Sequence, residues 1–269
     1  MPQGFTPPNA RLASRLHAFA TNLLESCGLT TSSMAIEPNP PAPPAQAKEW
    51  GAALALLPIA TTISFYALPV SLQEQPLVQF APQIVAYLAL GFWIIHNPDF
   101  VFQLGLARRN VPDGLRWGLL TGLLLGCLNT FVILSAYPHL GYDINFLKTT
   151  LHGRLPLFVM VPWFICGIAL FVELNFRGFL LGRLTALESQ LWGSGLAQRL
   201  SPLALITGAL IFAFDPFMVN TFQHLHWIAV WDGLIWGVIY LRTHNLYVTI
   251  VAHAVEVIVM YSTVRFVLS

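Results

Sequence analysis

Glu173 and Arg177 lie four residues apart in VELNFRGFL, at the end of a long apolar run. On a helix this spacing places both on one face, with Glu on the N-terminal side, the better order for an ion pair. A carboxylate in hydrocarbon costs several kcal/mol unless it is paired, so intramembrane charges mark a functional site or a structural pair. A second polar pair follows at His253 and Glu256, three residues apart and again on one helical face. That spacing permits a buried histidine–carboxylate hydrogen bond, or two ligands to one divalent metal. Asp215 precedes Pro216, the pattern of a helix-breaking cap. Asp232, in Trp231-Asp232-Gly233, can be a buried hydrogen-bond donor or acceptor, or can pair with Arg242 or His226. His224 and His226 lie on different sides of either a strand or a helix, so they do not simply chelate together.

The elements that must carry these residues are membrane helices. Hydrophobic residues make up 56% of the chain and charged residues 9%, against about 25% charged in a soluble domain, and mean hydropathy is +0.65. The net charge of +1 provides no global field for nucleic acid. The three cysteines, Cys27, Cys127 and Cys166, show no disulfide or zinc spacing and read as buried free thiols. The fold expected is an all-α, polytopic transmembrane bundle of about seven spans, near 50–71, 77–96, 114–137, 156–176, 203–222, 225–242 and 246–268. A break is expected at Asp215-Pro216, and an interfacial segment can occupy 140–152. Gly233 and Gly237 form a small-residue face for close helix packing.

Residues 1–48 differ in composition from residues 49–269 and form a separate unit in this reading. Met1–Pro8 is polar and lacks the basic-then-apolar pattern of a cleavable signal peptide. Residues 10–26 place Leu12, Leu16, Phe19, Leu23 and Leu24 at helical spacing, as in an amphipathic helix on a membrane surface or a partner. Residues 36–47 form a Pro-rich extended linker. With a cytoplasmic N-terminus, only Lys148, Arg154 and Arg265 of the 13 basic residues fall outside, so the positive-inside rule favours N-in and C-out.

The stretches FVELNFRGFLLGRLT (171–185) and GLIWGVIYLRTHNLYVTIVAHA (233–254), with LGLARRN…GLRWGLLTGLLLG (104–126), resemble the CPBP family of CAAX prenyl proteases and bacteriocin-processing (Abi) membrane proteins. The resemblance covers roughly 100–260. It implies an intramembrane endopeptidase of glutamic or metal-assisted type, in which one Glu and a His activate water while a last His and Asn hold the oxyanion. The family motifs are Glu-Glu-x-x-x-Arg, Phe-x-x-x-His and His-x-x-x-Asn. By resemblance Glu173 and Arg177 match the second Glu and the Arg, Phe212 matches the Phe, and His253 matches the last His. The first Glu, the middle His and the final Asn fall on Val172, Pro216 and Val257.

Two functions from different classes follow. One is a non-catalytic scaffold or subunit of a membrane complex, with a degraded protease site and no cofactor. The other is an active endopeptidase with a rearranged site, in which Glu173 is the base, His253 the oxyanion donor, and Asp215 and Glu256 substitute for the missing groups. The partners expected are membrane lipids and either a membrane protein or a peptide substrate. An active site predicts Glu173, His253 and a second acid around a wet cavity. A scaffold predicts Glu173 closed onto Arg177, His253 closed onto Glu256 or Asp232, and no cavity.

Overall fold

A long apolar chain with prolines at intervals must form helices that break, because each proline removes a backbone donor and hydrocarbon offers no substitute partner. A computed structural model describes residues 50–192 and 201–268. The expected amphipathic helix and Pro-rich linker lie outside the described residues, as do Cys27 and Arg199.

Helices α1 (Leu56–Tyr66) and α2 (Ala81–Ile95) precede α3 (Val111–Phe131), which continues through a π-helical turn, Val132–Ala136. After short turns, α4 (Cys166–Glu173) passes through π-helical Leu174–Leu181 into α5 (Gly182–Trp192). The second half contains α6 (Pro202–Ala213), α7 (Pro216–Phe222), α8 (Ile228–Thr243) and α9 (Leu246–Leu268). No strand occurs among the described residues.

The protein is an all-α membrane protein. Among the described residues, three helices are long and apolar enough to cross a bilayer: Phe100–His139, Leu157–Trp192 and Leu246–Leu268. A fourth crossing is available if Pro202–Ala213 and Pro216–Thr243, bent by 50°, act as one span. Gly51–Tyr66 and Ala81–Ile95 are apolar but shorter. At 1.5 Å per residue, the 15 residues of α2 reach only ~22 Å of a ~30 Å core. The expected count of seven treats each apolar run as one crossing, whereas prolines and turns divide several of these runs.

The break at Asp215-Pro216 forms as expected. Asp215 Oδ1 accepts from the N–H groups of Phe217 at 3.0 Å and Met218 at 3.4 Å, capping α7, and from Gln83 Nε2 at 2.9 Å. Pro162 lies in a π-helical turn, Met160–Ile165. Residues 140–152 form short turns, with Leu147 buried. Cys127 and Cys166 are free but exposed, not buried. On a membrane helix the outward face meets lipid, so apolar surroundings in the sequence do not imply the protein core.

The closest helix pair is α3 with α9. Gly114, Gly118, Gly122 and Gly126 recur every fourth residue along α3 and face α9. A Cβ on Gly118 would fall 2.6 Å from Val251 Cβ, and one on Gly122 would fall 2.6 Å from the Ala252 carbonyl oxygen. Only hydrogen fits there, so the two backbones meet, the usual basis of tight packing in membranes. Gly233 and Gly237 do the same for α8, against Ala209 and Leu205 of α6. The entry to α3 is fastened to the α8–α9 turn. Gly105, at φ +72°, packs against the His244 backbone, Asn245 Nδ2 donates to the Asn110 carbonyl at 2.8 Å, and Tyr247 donates to the Leu106 carbonyl at 3.1 Å.

Gly122→Val is expected to destabilise the protein by about 1–3 kcal/mol through overpacking. Gly167→Ala, where nothing lies within 4 Å of the added Cβ, is expected to be near neutral. Thermal unfolding in mild detergent measures both, and equal unfolding temperatures would contradict the account of the α3–α9 contact.

Candidate functional site

Glu173 ends α4 and is wholly buried. The π-helical backbone that follows has i→i+5 bonding and a wider turn, so the four-residue step to Arg177 falls just short of one turn. Arg177 Nη1 donates to Glu173 Oε1 at 3.0 Å. His253 Nδ1, from α9, donates to the same oxygen at 2.9 Å. The guanidinium lies over the rings of Phe212 and Trp236, with Cζ 4.3 Å and 4.9 Å from their centroids. Trp236 also stacks on the His253 ring at 4.7 Å. Residues of α4, α6, α8 and α9 thus enclose one ion pair. A buried pair of this kind is held by its hydrogen bonds and its surroundings, since desolvation offsets much of the Coulombic attraction.

A second polar group lies beside the first. Asn129 Nδ2, on α3, donates to both oxygens of Asp232 at 3.2 and 3.1 Å and to Glu256 Oε1 at 2.6 Å. Trp231 Nε1 donates to Asn129 Oδ1 at 3.0 Å. The glycine stripe that draws α3 onto α9 carries Asn129 into this position. Asp232 therefore pairs with Asn129 and Glu256, not with Arg242 or His226. His253 turns to Glu173 instead of Glu256, because Trp236 fixes the plane of its ring.

Beside both groups is a cavity of about 460 Å³. Its walls include Val172, Phe176, Phe212, Asp232, Trp236, His253, Glu256 and Val257. Glu173 and Pro216 are not on this wall. The expected outcomes are thus mixed: Glu173 closes onto Arg177, as in the scaffold reading, yet a cavity is present. Asp215 caps α7 and touches neither Glu173 nor His253. Among the described residues no three of His, Cys, Asp and Glu group together as metal ligands.

Other histidines stand apart. Phe222 and His226 repeat the Phe-x-x-x-His spacing, but His226 sits on the turn Gln223–Trp227, bonded to the Gln223 carbonyl and against Phe214 and Trp227. His224 stacks with Tyr142 at 4.7 Å and Tyr137 at 5.4 Å, in an aromatic cluster. Asn129 was missed in the sequence. Its only signal is an amide inside the run LLLGCLNTF, at the end of a glycine repeat.

Fold and site together describe a helical membrane protein with a buried polar cluster beside a cavity. Residues 154–259 match the family described as Type II CAAX prenyl endopeptidase Rce1-like, a match that supports the resemblance to the CPBP (CAAX protease) family. No curated protein and no solved structure matches the chain.

Arg177→Ala leaves a buried carboxylate without its cation and is expected to cost about 3–5 kcal/mol. Adding Glu173→Gln should recover part of that loss. Asn129→Leu removes the donor shared by two carboxyls and should cost about 1–3 kcal/mol. Chemical unfolding of the purified variants measures each, and native-like stability of Arg177→Ala would contradict the pairing.

Proposed function

We propose that the protein is a non-proteolytic member of its family, which keeps the scaffold and serves as a subunit or docking platform of a membrane complex. The observation that carries this reading is the cavity wall. Val172 and Val257 face the cavity where the family's base and oxyanion donor belong, while Glu173, one residue away, faces Arg177 and His253. Valine accepts no proton, and loss of a general base typically lowers a rate by 10²–10⁴-fold. The amphipathic pattern of 10–26 and the Pro-rich stretch 36–47 suit docking. Basic residues favour a cytoplasmic N-terminus and an opposite C-terminus, and the seven-span reading requires the short helices Gly51–Tyr66 and Ala81–Ile95 to cross a locally thinned bilayer.

The rearranged protease is the second reading, and one observation favours it. His253, Asp232 and Glu256 share the cavity wall, and an acid pair beside a histidine is a set that can orient water.

A pull-down in mild detergent compares the native protein with Glu173→Gln and Glu256→Gln, with mass spectrometry of what is retained. The scaffold reading expects the same full-length partner with all three forms. A protein held intact by one variant and recovered only as a fragment with the native form would establish proteolysis instead.

A further inference from the structure

The cavity has an apolar body and one end made of acceptors. Its volume of about 460 Å³ lies within the ~300–1,000 Å³ of small-molecule sites. Phe80, Leu151 and Phe171 line it and are also exposed on the outer surface, so it reaches the lipid-facing side of the bundle. At its inner end are Asp232 and Glu256, 4% and 3% exposed. The two carboxyls lie against each other, and the amide of Asn129 is the hydrogen-bond donor they share. Glu256 Oε2 is buried with no hydrogen-bond donor. Buried acceptors without donors are costly; among the described residues Asn129 Nδ2 is the side-chain N–H that donates to this pair, and Glu256 Oε2 receives none.

We propose that this cavity binds a single-chain amphiphile whose head donates hydrogen bonds, a long-chain alcohol or primary amine. The head sits at Asp232 and Glu256, and the hydrocarbon chain runs along Val257 and Val172 to the mouth at Phe171. Head groups that only accept, and anionic ones, meet acceptors and are rejected. The inference goes beyond the loss of proteolysis and does not depend on it, since no bond is cleaved.

The test uses the full chain in phosphatidylcholine nanodiscs and a diazirine-bearing analogue of hexadecanol, with adducts mapped by mass spectrometry. Adducts are expected on cavity residues such as Phe171, Val172 and Val257. Unlabelled hexadecanol and hexadecylamine should compete, and hexadecyl methyl ether, of the same chain with no donor, about tenfold less well. Glu256→Gln supplies a donor of its own and should erase the preference for alcohol over ether. Val257→Trp fills the cavity without touching the acid pair and should abolish the cavity adducts at an unchanged unfolding temperature. An ether that competes as well as the alcohol, adducts confined to outer residues such as Leu88, or adducts that persist in Val257→Trp would each overturn the proposal.

Discussion

A carboxylate in the middle of an apolar bundle must find partners, and the arrangement around Glu173 follows from that requirement. Its oxygen takes a guanidinium from one turn further along the same segment and an imidazole from α9. Each partner is itself confined, the guanidinium by the faces of Phe212 and Trp236, the imidazole by stacking on Trp236. One charge thereby links four helices that are distant in sequence. The same contacts bear on chemistry, because a carboxylate oxygen that already accepts two charge-assisted or polar hydrogen bonds is a poor base.

The glycine stripe of α3 is the complementary constraint. Close backbone contact with α9 leaves no room for side chains from Gly114 to Gly126, and the first polar side chain beyond the stripe, Asn129, meets Glu256 and Asp232. The two polar groups then lie on successive turns of α9, at His253 and at Glu256. The polar contacts that join the helices at Glu173 are made, whereas Val172 and Val257 leave the neighbouring stretch of cavity wall apolar. The cavity remains, and its remaining polar wall is rich in acceptors.

Much of this was legible from residue types alone. The all-helical membrane class followed from composition, the Glu173–Arg177 pair from spacing, and the cap and bend at Asp215-Pro216 from proline chemistry. The family texture in 171–185 and 233–254 fell inside the segment that the family match covers. Other features required three dimensions. The partner of His253 is decided by a stacked tryptophan 17 residues earlier in the chain, not by the neighbouring carboxylate at i+3. Asn129 carries no charge, so a scan for ionisable residues passes over it. Apolar runs also do not reveal where a helix breaks, which is why α1 and α2 are shorter than their hydropathy suggests, and they do not distinguish a lipid-facing cysteine from a buried one.

The central claim is that Glu173 is a structural anchor between α4 and α9. The most direct test is a double-mutant cycle on unfolding free energy with Glu173→Gln, His253→Asn and the double variant in one detergent. The account predicts a coupling of about 0.5–3 kcal/mol between these positions, as for residues in one hydrogen-bonded network. Additivity within about 0.3–0.5 kcal/mol would contradict it.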